Sequence, residues 1–159
     1  MKIRPYGAED REGVLSLLSE LNEYERSLRA LRSKAPTLSQ DYFRHEYDEI
    51  MADEDCDFLF LVAEEQGSLI GYVFCEVSEE LLDDPREQVR VLDIMATEHA
   101  RRHGVGLRLM QAVEQFAADR SITRITLDVL ASNAKAIAFY QSLGFQTALL
   151  CMEKQTPTT

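Results

Sequence analysis

The stretch ARRHGVGLRLM, residues 100–110, places cationic and imidazole side chains and two glycines directly before an apolar, helix-like run. Gly104 and Gly106 follow a strand-like segment and precede the apolar run. They would therefore lie in the turn where a helix begins. The first turn of a helix has backbone N–H groups without intrahelical acceptors at the positive end of its dipole, and phosphates bind there. Glycine allows close backbone approach because it lacks a Cβ. The stretch therefore predicts an anion site.

Two common phosphate-binding motifs do not fit this stretch. A dinucleotide fingerprint requires a third glycine where the chain has Leu109. A Walker loop ends in Gly-Lys-Ser/Thr, whereas this loop ends in Gly-Leu-Arg. The pattern present is Arg101-x-x-Gly104-x-Gly106 after a strand, which leaves other diphosphate ligands as candidates.

A second pattern follows about thirty residues later, in LDVLASNAKAIAFYQSLGF. Beginning at Asn133, it has the spacing N-x-x-A-x-x-F-Y-x-x-x-G-F. Together the two patterns resemble the pyrophosphate loop and the second signature of the Gcn5-related N-acetyltransferase (GNAT) family. The order of predicted elements resembles that family along the whole chain, except in residues 28–57, which are too variable to align.

The resemblance implies a site for acetyl-CoA as co-substrate. Backbone groups of the central strand would pair with the pantetheine arm like an added strand, provided that the strands Val91–Thr97 and Ile125–Leu130 splay apart. Loop amides would hold the pyrophosphate. The implied contacts are Ile94, Met95, Ala96, Arg101, Arg102, His103, Gly104, Val105, Gly106, Leu107 and Asn133. From the residues alone, Asn133 is equally a helix N-cap, and the two arginines are equally solvated surface cations.

The resemblance also implies that Tyr140 lies near the thioester sulfur. A tyrosine hydroxyl stays protonated at neutral pH and can donate to a departing thiolate as general acid; a core aromatic is the alternative. Some family members have a glutamate on the central strand, but this chain has Arg90 and Leu92 at the two comparable positions. Asp93 is the only carboxylate in VRVLDIMAT, and it is the candidate general base.

Other proton routes stay open at this point. Glu76, Glu46 and Asp48 are alternative bases, and a water chain without a single base is a further alternative. The developing negative charge on the thioester oxygen needs an N–H donor, and the Met95–Ala96 backbone is the expected source.

Metal chemistry is not predicted. His99 and His103, with Glu98, flank the loop, but no further ligand lies at a suitable spacing. Solvated loop histidines are therefore the interpretation, with no metal in the site.

Composition limits the partners and the compartment. The chain has 159 residues and a net charge of −11, which disfavours nucleic acid and anionic membranes and favours a cationic acceptor. No apolar run approaches the roughly 20 residues of a membrane span, and the N-terminus lacks a signal-peptide core. Three separated cysteines without a C-x-x-C pair indicate reduced thiols. We therefore expect a cytoplasmic protein; a homodimer is left open.

Periodicity predicts an alternation of strands and helices. KIRPY is a strand, Asp10 precedes a helix with Leu15, Leu18 and Leu21 near one face, and Ser39 begins a second helix, QDYFRHEYDEIMAD. The remaining predicted elements are a hairpin, FLFLVAEEQGSLIGYVFCEVSEE; a central strand, VRVLDIMAT; a helix, Gly106–Asp119; a strand, ITRITLDVLA; a helix, NAKAIAFYQSL, ended by Gly144; and a last strand, FQTALLCMEK.

These elements predict a mixed α/β (α+β) fold, in which a mostly antiparallel, splayed mixed sheet is flanked by helices. We expect a single N-acetyltransferase domain over residues 1–155 and a frayed tail over residues 156–159. The predicted function is transfer of the acetyl group of acetyl-CoA to a primary amine by direct attack. A small cationic or amino-acid-like acceptor is favoured over a protein amine. A non-catalytic CoA-binding module is the alternative, and a structural domain without a nucleotide site is a third.

Overall fold

One mixed sheet of five strands organises the chain. The structure is a computed structural model that describes residues 1–28, 44–79, 87–101, 103–154 and 156. The strands, in spatial as well as chain order, are β1 (Lys2–Pro5), β2 (Phe58–Glu65), β3 (Ser68–Glu79), β4 (Glu87–Ala96) and β5 (Ile125–Leu127). Neighbours are antiparallel except for β4 and β5, which are parallel. The predicted fold class is confirmed.

Five α-helices are present among the described residues. They are α1 (Arg11–Leu28), α2 (Glu49–Ala52), α3 (Glu98–Arg101), α4 (Val105–Asp119) and α5 (Ala134–Ser142). A π-helical turn, Arg44–Asp48, leads into α2. The part of the second helix predicted from Ser39 to Phe43 lies outside the described residues. No helix in the described ranges has both the length and the apolar character needed to cross a bilayer.

The helices cover both faces of the sheet because their apolar residues recur at helical spacing. On one face, α4 buries Leu109, Met110, Val113, Phe116 and Ala117. On the opposite face, α1 buries Val14, Leu17 and Leu18. That second face also holds a cluster of buried aromatic side chains: Tyr47, Phe60, Tyr72 and Phe74.

The hairpin between β2 and β3 confirms the strongest local turn prediction. Gln66 and Gly67 have φ values of 52° and 79°, and consecutive positive φ angles match the right-handed twist of hairpin strands. The predicted cap at Asp10 differs in detail. Its buried carboxylate accepts the Gly7 N–H at 2.8 Å and pairs with Arg4 at 2.6 Å, immediately before α1 begins.

A β-bulge in β4 changes which way its side chains face. Cys75 pairs with Val91 and Phe74 pairs with Asp93, so Leu92 is the extra residue. Val91 packs on the α4 side of the sheet, whereas Leu92 packs on the α1 side. Asp93 is hydrogen-bonded to Tyr47, on that same α1 side. Strict alternation from Val91 would have put Asp93 on the α4 side.

The prediction for the C-terminal strands of the sheet is partly wrong. The strand predicted from ITRITLDVLA forms only over Ile125–Leu127. The last strand, predicted from FQTALLCMEK, is not formed by residues 146–154, which lie outside the sheet. Leu149, Leu150 and Met152 are 78%, 68% and 85% exposed. Alternating strand-like composition identified these residues as sheet-forming but could not identify a neighbouring strand for them.

Candidate active site

The site lies where β4 and β5 separate. Their parallel pairing covers only three residue pairs and ends at Val91 opposite Leu127. From Asp93 onward, β4 pairs with β3 on one edge, and no described strand covers the other edge. This is the splayed arrangement that the predicted fold required, and it leaves main-chain groups available at the centre of the sheet.

Alternation along β4 determines which of its backbone N–H groups face the open edge. The Thr97 N–H donates to the Ile70 carbonyl at 2.9 Å, on the β3 side. Because backbone groups alternate along a strand, the N–H groups of Ile94 and Ala96 face away from β3, toward the open edge. Of the predicted Met95–Ala96 pair, Ala96 is therefore the one whose N–H points into the gap.

The loop before α4 has the geometry of an anion cradle. Gly104 is the N-cap of α4, with φ of 73°, and no described atom lies within 4 Å of the position a Cβ would take. The Arg108 N–H donates to the Gly104 carbonyl at 3.1 Å, which leaves the N–H groups of Val105, Gly106 and Leu107 without acceptors inside the helix. A diphosphate of the kind that CoA carries fits this arrangement.

Arg101 and the backbone of His103 make contacts that hold the loop. The Arg101 Nε donates to the Ala96 carbonyl at 2.8 Å, and its guanidinium lies 5.3 Å from the centre of the Tyr24 ring. The backbone N–H of His103 donates to the Ala100 carbonyl at 3.0 Å. These contacts fix the shape of the loop. Arg102 is not among the described residues.

The rings of the two loop histidines lie against each other at an angle of 45°. Their rings are 5.0 Å apart, and His103 Nδ1 lies 2.9 Å from the His99 carbonyl. Within the described ranges, no group of three or more His, Cys, Asp or Glu side chains is arranged to hold a metal ion.

Both ends of α5 are built by specific hydrogen bonds. The Asn133 Oδ1 accepts the Ala136 N–H at 3.2 Å, so Asn133 is the N-cap. At the other end, Gly144 has φ of 91°, its N–H donates to Gln141, and the Phe145 N–H donates to the Tyr140 carbonyl at 3.1 Å. These two bonds form a Schellman motif, which fixes the backbone at Tyr140.

Tyr140 lies in the electrostatic field of two carboxylates. Burial, followed by the charges of Glu25 and Asp93, raises the pKa of Tyr140 to about 12. Its ring centre is 5.4 Å from that of Phe139 and 5.8 Å from that of Phe145. The hydroxyl is consequently protonated throughout the physiological range.

Asp93 accepts a short hydrogen bond from the hydroxyl of Tyr47. Burial raises the pKa of Asp93 to about 6, the bond from Tyr47 acts in the opposite direction, and the charges of Glu25 and Glu46 raise it further. A carboxylate with this pKa is ionised at pH 7 and is a better proton acceptor than an ordinary aspartate.

Tyr47 is held rigidly behind Asp93. It is fully buried, its ring meets that of Phe74 edge-on at 4.7 Å, and burial raises the pKa of its hydroxyl well above the usual value. The next residue, Asp48, accepts two hydrogen bonds from Arg11 of α1, at 2.7 and 2.8 Å. This ion pair anchors the π-helical turn to α1 and makes Asp48 poorly suited as a base.

A cavity of about 210 Å³ opens beside Asp93. Its lining residues are Glu46, Tyr47, Arg90, Val91, Leu92, Asp93 and Asp128. Arg90 pairs with Asp128 at 3.3 Å across the separating strands. The other candidate base, Glu76, is partly buried, which raises its pKa, while the charge of Arg90 lowers it. The cavity is therefore lined mainly by acidic and polar groups.

Sequence reasoning did not identify Tyr47, Tyr24 or Glu25 as site residues. Tyr47 was predicted only as part of an apolar helical stripe. Its only sequence signal is that a buried tyrosine hydroxyl requires a hydrogen-bond partner. Tyr24 and Glu25 stand near the end of an ordinary amphipathic helix, and nothing local distinguishes them.

Comparison with known proteins defines the class. The model of the acetyltransferase (GNAT) family matches residues 21–145. The N-acetyltransferase YhfO of Bacillus subtilis is 25% identical over 147 residues, which cover 92% of this chain and 90% of YhfO. N-acetyltransferase family 8 member 3 of Rattus norvegicus is 34% identical over 88 residues, 55% of this chain but only 38% of that protein.

A solved structure agrees along the whole chain. A mutant of the BH1408 protein from Bacillus halodurans superposes with a TM-score of 0.82 at 26% identity, covering 99% of this chain and 100% of that one. The chain belongs to the GNAT acetyltransferase family, whose members use acetyl-CoA, and it is by family an N-acetyltransferase. The acetyl acceptors of that family are amines, in small molecules or proteins.

Proposed function

We propose that this chain transfers the acetyl group of acetyl-CoA to a primary amine of a small cationic molecule, with Asp93 as general base and Tyr140 as general acid. One observation carries the proposal: Asp93, which is hydrogen-bonded to Tyr47, lines the cavity where β4 and β5 separate. Tyr140 is assigned as its partner because the charge of Asp93 contributes to the raised pKa of Tyr140.

Acetyl-CoA supplies an activated thioester carbonyl. The N–H groups of Val105, Gly106 and Leu107 bind its diphosphate, and the open edge of β4 binds its arm as an added strand. The predicted contacts of Ile94, Met95, Gly104 and Asn133 belong to the same proposal. The contacts observed for Arg101 and His103 favour a role in shaping the loop for both residues.

The amine must lose a proton before it attacks. At pH 7 an amine with a pKa of about 10.4 is almost wholly charged, which adds about 4.5 kcal/mol to the barrier. Asp93 accepts this proton directly or through one water. As the C–N bond forms and the C–S bond breaks, the N–H of Ala96 stabilises the charge on the carbonyl oxygen, and Tyr140 donates a proton to the sulfur. The nitrogen then releases its second proton to water, and Tyr140 regains a proton from solvent.

Acidic groups favour a cationic acceptor. Glu46 and Asp128 line the cavity beside Asp93, and the charge of Glu25 reaches both Asp93 and Tyr140. The chain as a whole carries a net charge of −11, which raises the local concentration of cations. A diamine or an amino-acid-like amine matches this surrounding better than an uncharged acceptor.

The test is an acetyl-CoA turnover assay over a panel of amines, with Asp93→Asn and Tyr140→Phe as variants. We expect each substitution to lower kcat by about 10²-fold, with little change in the Kd for acetyl-CoA measured by calorimetry. Thr126→Ser, a conservative change on β5, serves as the control.

The outcomes that would contradict the proposal can be told apart in this assay. Unchanged kcat in both variants would remove Asp93 and Tyr140 from the chemistry. Tight CoA binding without turnover of any amine would instead identify a binding module. Absence of CoA binding would overturn the site altogether.

A further inference from the structure

The cavity beside Asp93 has a single cationic side chain among the described residues that line it. That side chain is Arg90, and the acidic residues around it are Glu46, Asp93 and Asp128. An arginine among carboxylates either serves as their internal partner or binds a negatively charged group of a ligand. The contacts that Arg90 makes within the chain distinguish these two roles.

Those contacts leave most of the Arg90 N–H groups available. One of them donates to the Asp128 carboxylate at 3.3 Å, and the two side chains are 49% and 90% exposed. An ion pair this exposed contributes little to stability. The charge of Arg90 also lowers the pKa of Glu76. A guanidinium has five N–H donors, and the Arg90 side chain forms no other hydrogen bond with the described part of the chain.

The bulge in β4 places Arg90 and Asp93 on the same face of the sheet. Arg90 pairs with Glu76 and Asp93 pairs with Phe74, so three steps along β4 span two steps along β3. Two steps of a strand measure about 7 Å. In a regular strand, residues three apart would face opposite sides. A carboxylate bound at Arg90 and an amine facing Asp93 can therefore belong to one small molecule.

We propose that Arg90 binds the carboxylate of the acceptor, and that the acceptor is a basic amino acid. This inference rests on the proposed function and names the substrate class of the same site. A planar guanidinium binds a carboxylate through two parallel N–H···O hydrogen bonds. Three carboxylates and one guanidinium line the cavity, and they complement a ligand with two ammonium groups and one carboxylate. Arg90 only binds the acceptor; bonds and protons move as in the acetyl transfer described above.

The first experiment compares lysine and ornithine with their carboxamides, which lack the carboxylate charge. The native chain should have a lower KM for each amino acid than for its amide. Arg90→Gln should raise the KM for the amino acids at least about tenfold, because hydrogen bonds to a charged group are lost. It should leave kcat and the KM for the amides nearly unchanged. Arg90→Lys should give an intermediate KM, since an ammonium group is a point charge without the planar fork.

Lys2→Gln is the matched control for Arg90→Gln. It removes the same unit of charge from an exposed position on β1, at the far edge of the sheet. It should alter neither KM. Equal effects of the two variants would show that net charge, and not a contact with the carboxylate, produces the change.

Asp128→Asn distinguishes ligand binding from a structural ion pair. If the pair of Arg90 and Asp128 only braced the separating strands, its loss from either side would have the same effect. In the proposed role Asp128 competes with the ligand for the guanidinium. Asp128→Asn should then increase the preference for lysine over lysinamide several-fold, whereas Arg90→Gln abolishes that preference. The same loss of preference in both variants would contradict the proposal.

Failure of this inference can be distinguished from failure of the proposed function. Calorimetry with the native chain and CoA measures the Kd of lysine and of lysinamide without turnover. If no amine is acetylated but lysine binds more tightly and Arg90→Gln removes the difference, the acetyl transfer is wrong and the carboxylate site is supported. Equal affinity for the amino acids and their amides, or no binding of the amino acids, would overturn the inference even if other amines are acetylated.

Discussion

A single hydroxyl tunes the proposed base. Tyr47 donates to the carboxylate of Asp93, and a donor to the charged form lowers the pKa of an acid. Without it, burial and the charges of Glu25 and Glu46 act on Asp93 unopposed. Tyr47 touches neither substrate in the proposed reaction, so it is a positioning residue.

Replacement of Tyr47 by Phe should therefore move the pH profile. Because Asp93 must be ionised to accept a proton, kcat/KM is expected to fall below about pH 6 in the native chain. In Tyr47→Phe the pKa of Asp93 rises, so this fall begins at higher pH and activity at pH 7 drops several-fold. Steady-state kinetics from pH 5 to about 9 measure the shift.

Tyr72→Phe is the matched control for this prediction. It removes another buried hydroxyl of the same cluster, 3.4 Å from that of Tyr47. It should shift the profile less, since the hydrogen bond to the Asp93 carboxylate comes from Tyr47. A Tyr47→Phe profile that superimposes on the native one would show that the hydroxyl does not set the pKa of the base.

At the scale of residues, the sequence predicted which side chains are candidate catalytic groups but not which other side chains contact them. Asp93 and Tyr140 were chosen as base and acid from a strand carboxylate and a motif position. Their roles are still predictions. That Asp93 would meet Tyr47 was not predictable, because residues 46 apart in the chain come together only through the packing of the π-helical turn on the sheet.

At the scale of elements, the turn before α4 is the feature most open to a direct test. Gly104 has a positive φ and open space around it, so an added Cβ would strain the backbone without meeting a neighbour. Gly104→Ala should cost about 1 kcal/mol of stability and raise the KM for acetyl-CoA several-fold, because the loop amides shift.

Gly67 provides the comparison for Gly104. It has φ of 79°, also with no described atom within 4 Å, but it lies in the β2–β3 hairpin turn. Gly67→Ala should cause a similar loss in melting temperature with no change in the KM for acetyl-CoA. If both variants changed KM equally, the effect would be one of stability and not of the loop.

The elements that the sequence predicted well are those with strong local signals. Helix α4 begins within one residue of its predicted start, and the hairpin turn forms at Gly67. The bulge at Leu92 and the short β5 were not predicted. Both depend on how neighbouring strands pair, and a pattern along one segment does not contain that information.

For the whole molecule, the net negative charge is the property expected to influence acceptor binding. If acidic groups attract the acceptor, the KM for a diamine should rise several-fold between 50 mM and about 500 mM salt, because the Debye length falls with ionic strength. A monoamine should show a weaker dependence. Equal salt dependence for both acceptors would indicate that net charge does not select the acceptor.

Composition predicted a preference for a cationic acceptor, but it did not predict where in the structure the acidic side chains would gather. The net charge of −11 is a property of the printed sequence. The grouping of Glu46, Asp93 and Asp128 around one cavity results from a helical turn and two strands that are far apart in the chain. Two further expectations from the sequence stay predictions: a single domain over residues 1–155 and a cytoplasmic location.

The bulge at Leu92 decides which face of the sheet receives the Asp93 carboxylate. Before Leu92, the strand faces are those of a regular strand; after it, they are reversed relative to strict alternation. If Leu92 instead paired in regular alternation, the Asp93 carboxylate would face the apolar layer under α4, where an ionised group is very costly, and Ile94 would occupy the cavity side. Deleting Leu92 would remove the bulge and leave Asp93 directly after Val91, still on the α1 side. An insertion that shifts the alternation by one position thus decides whether this strand carries a usable carboxylate or a destabilising one.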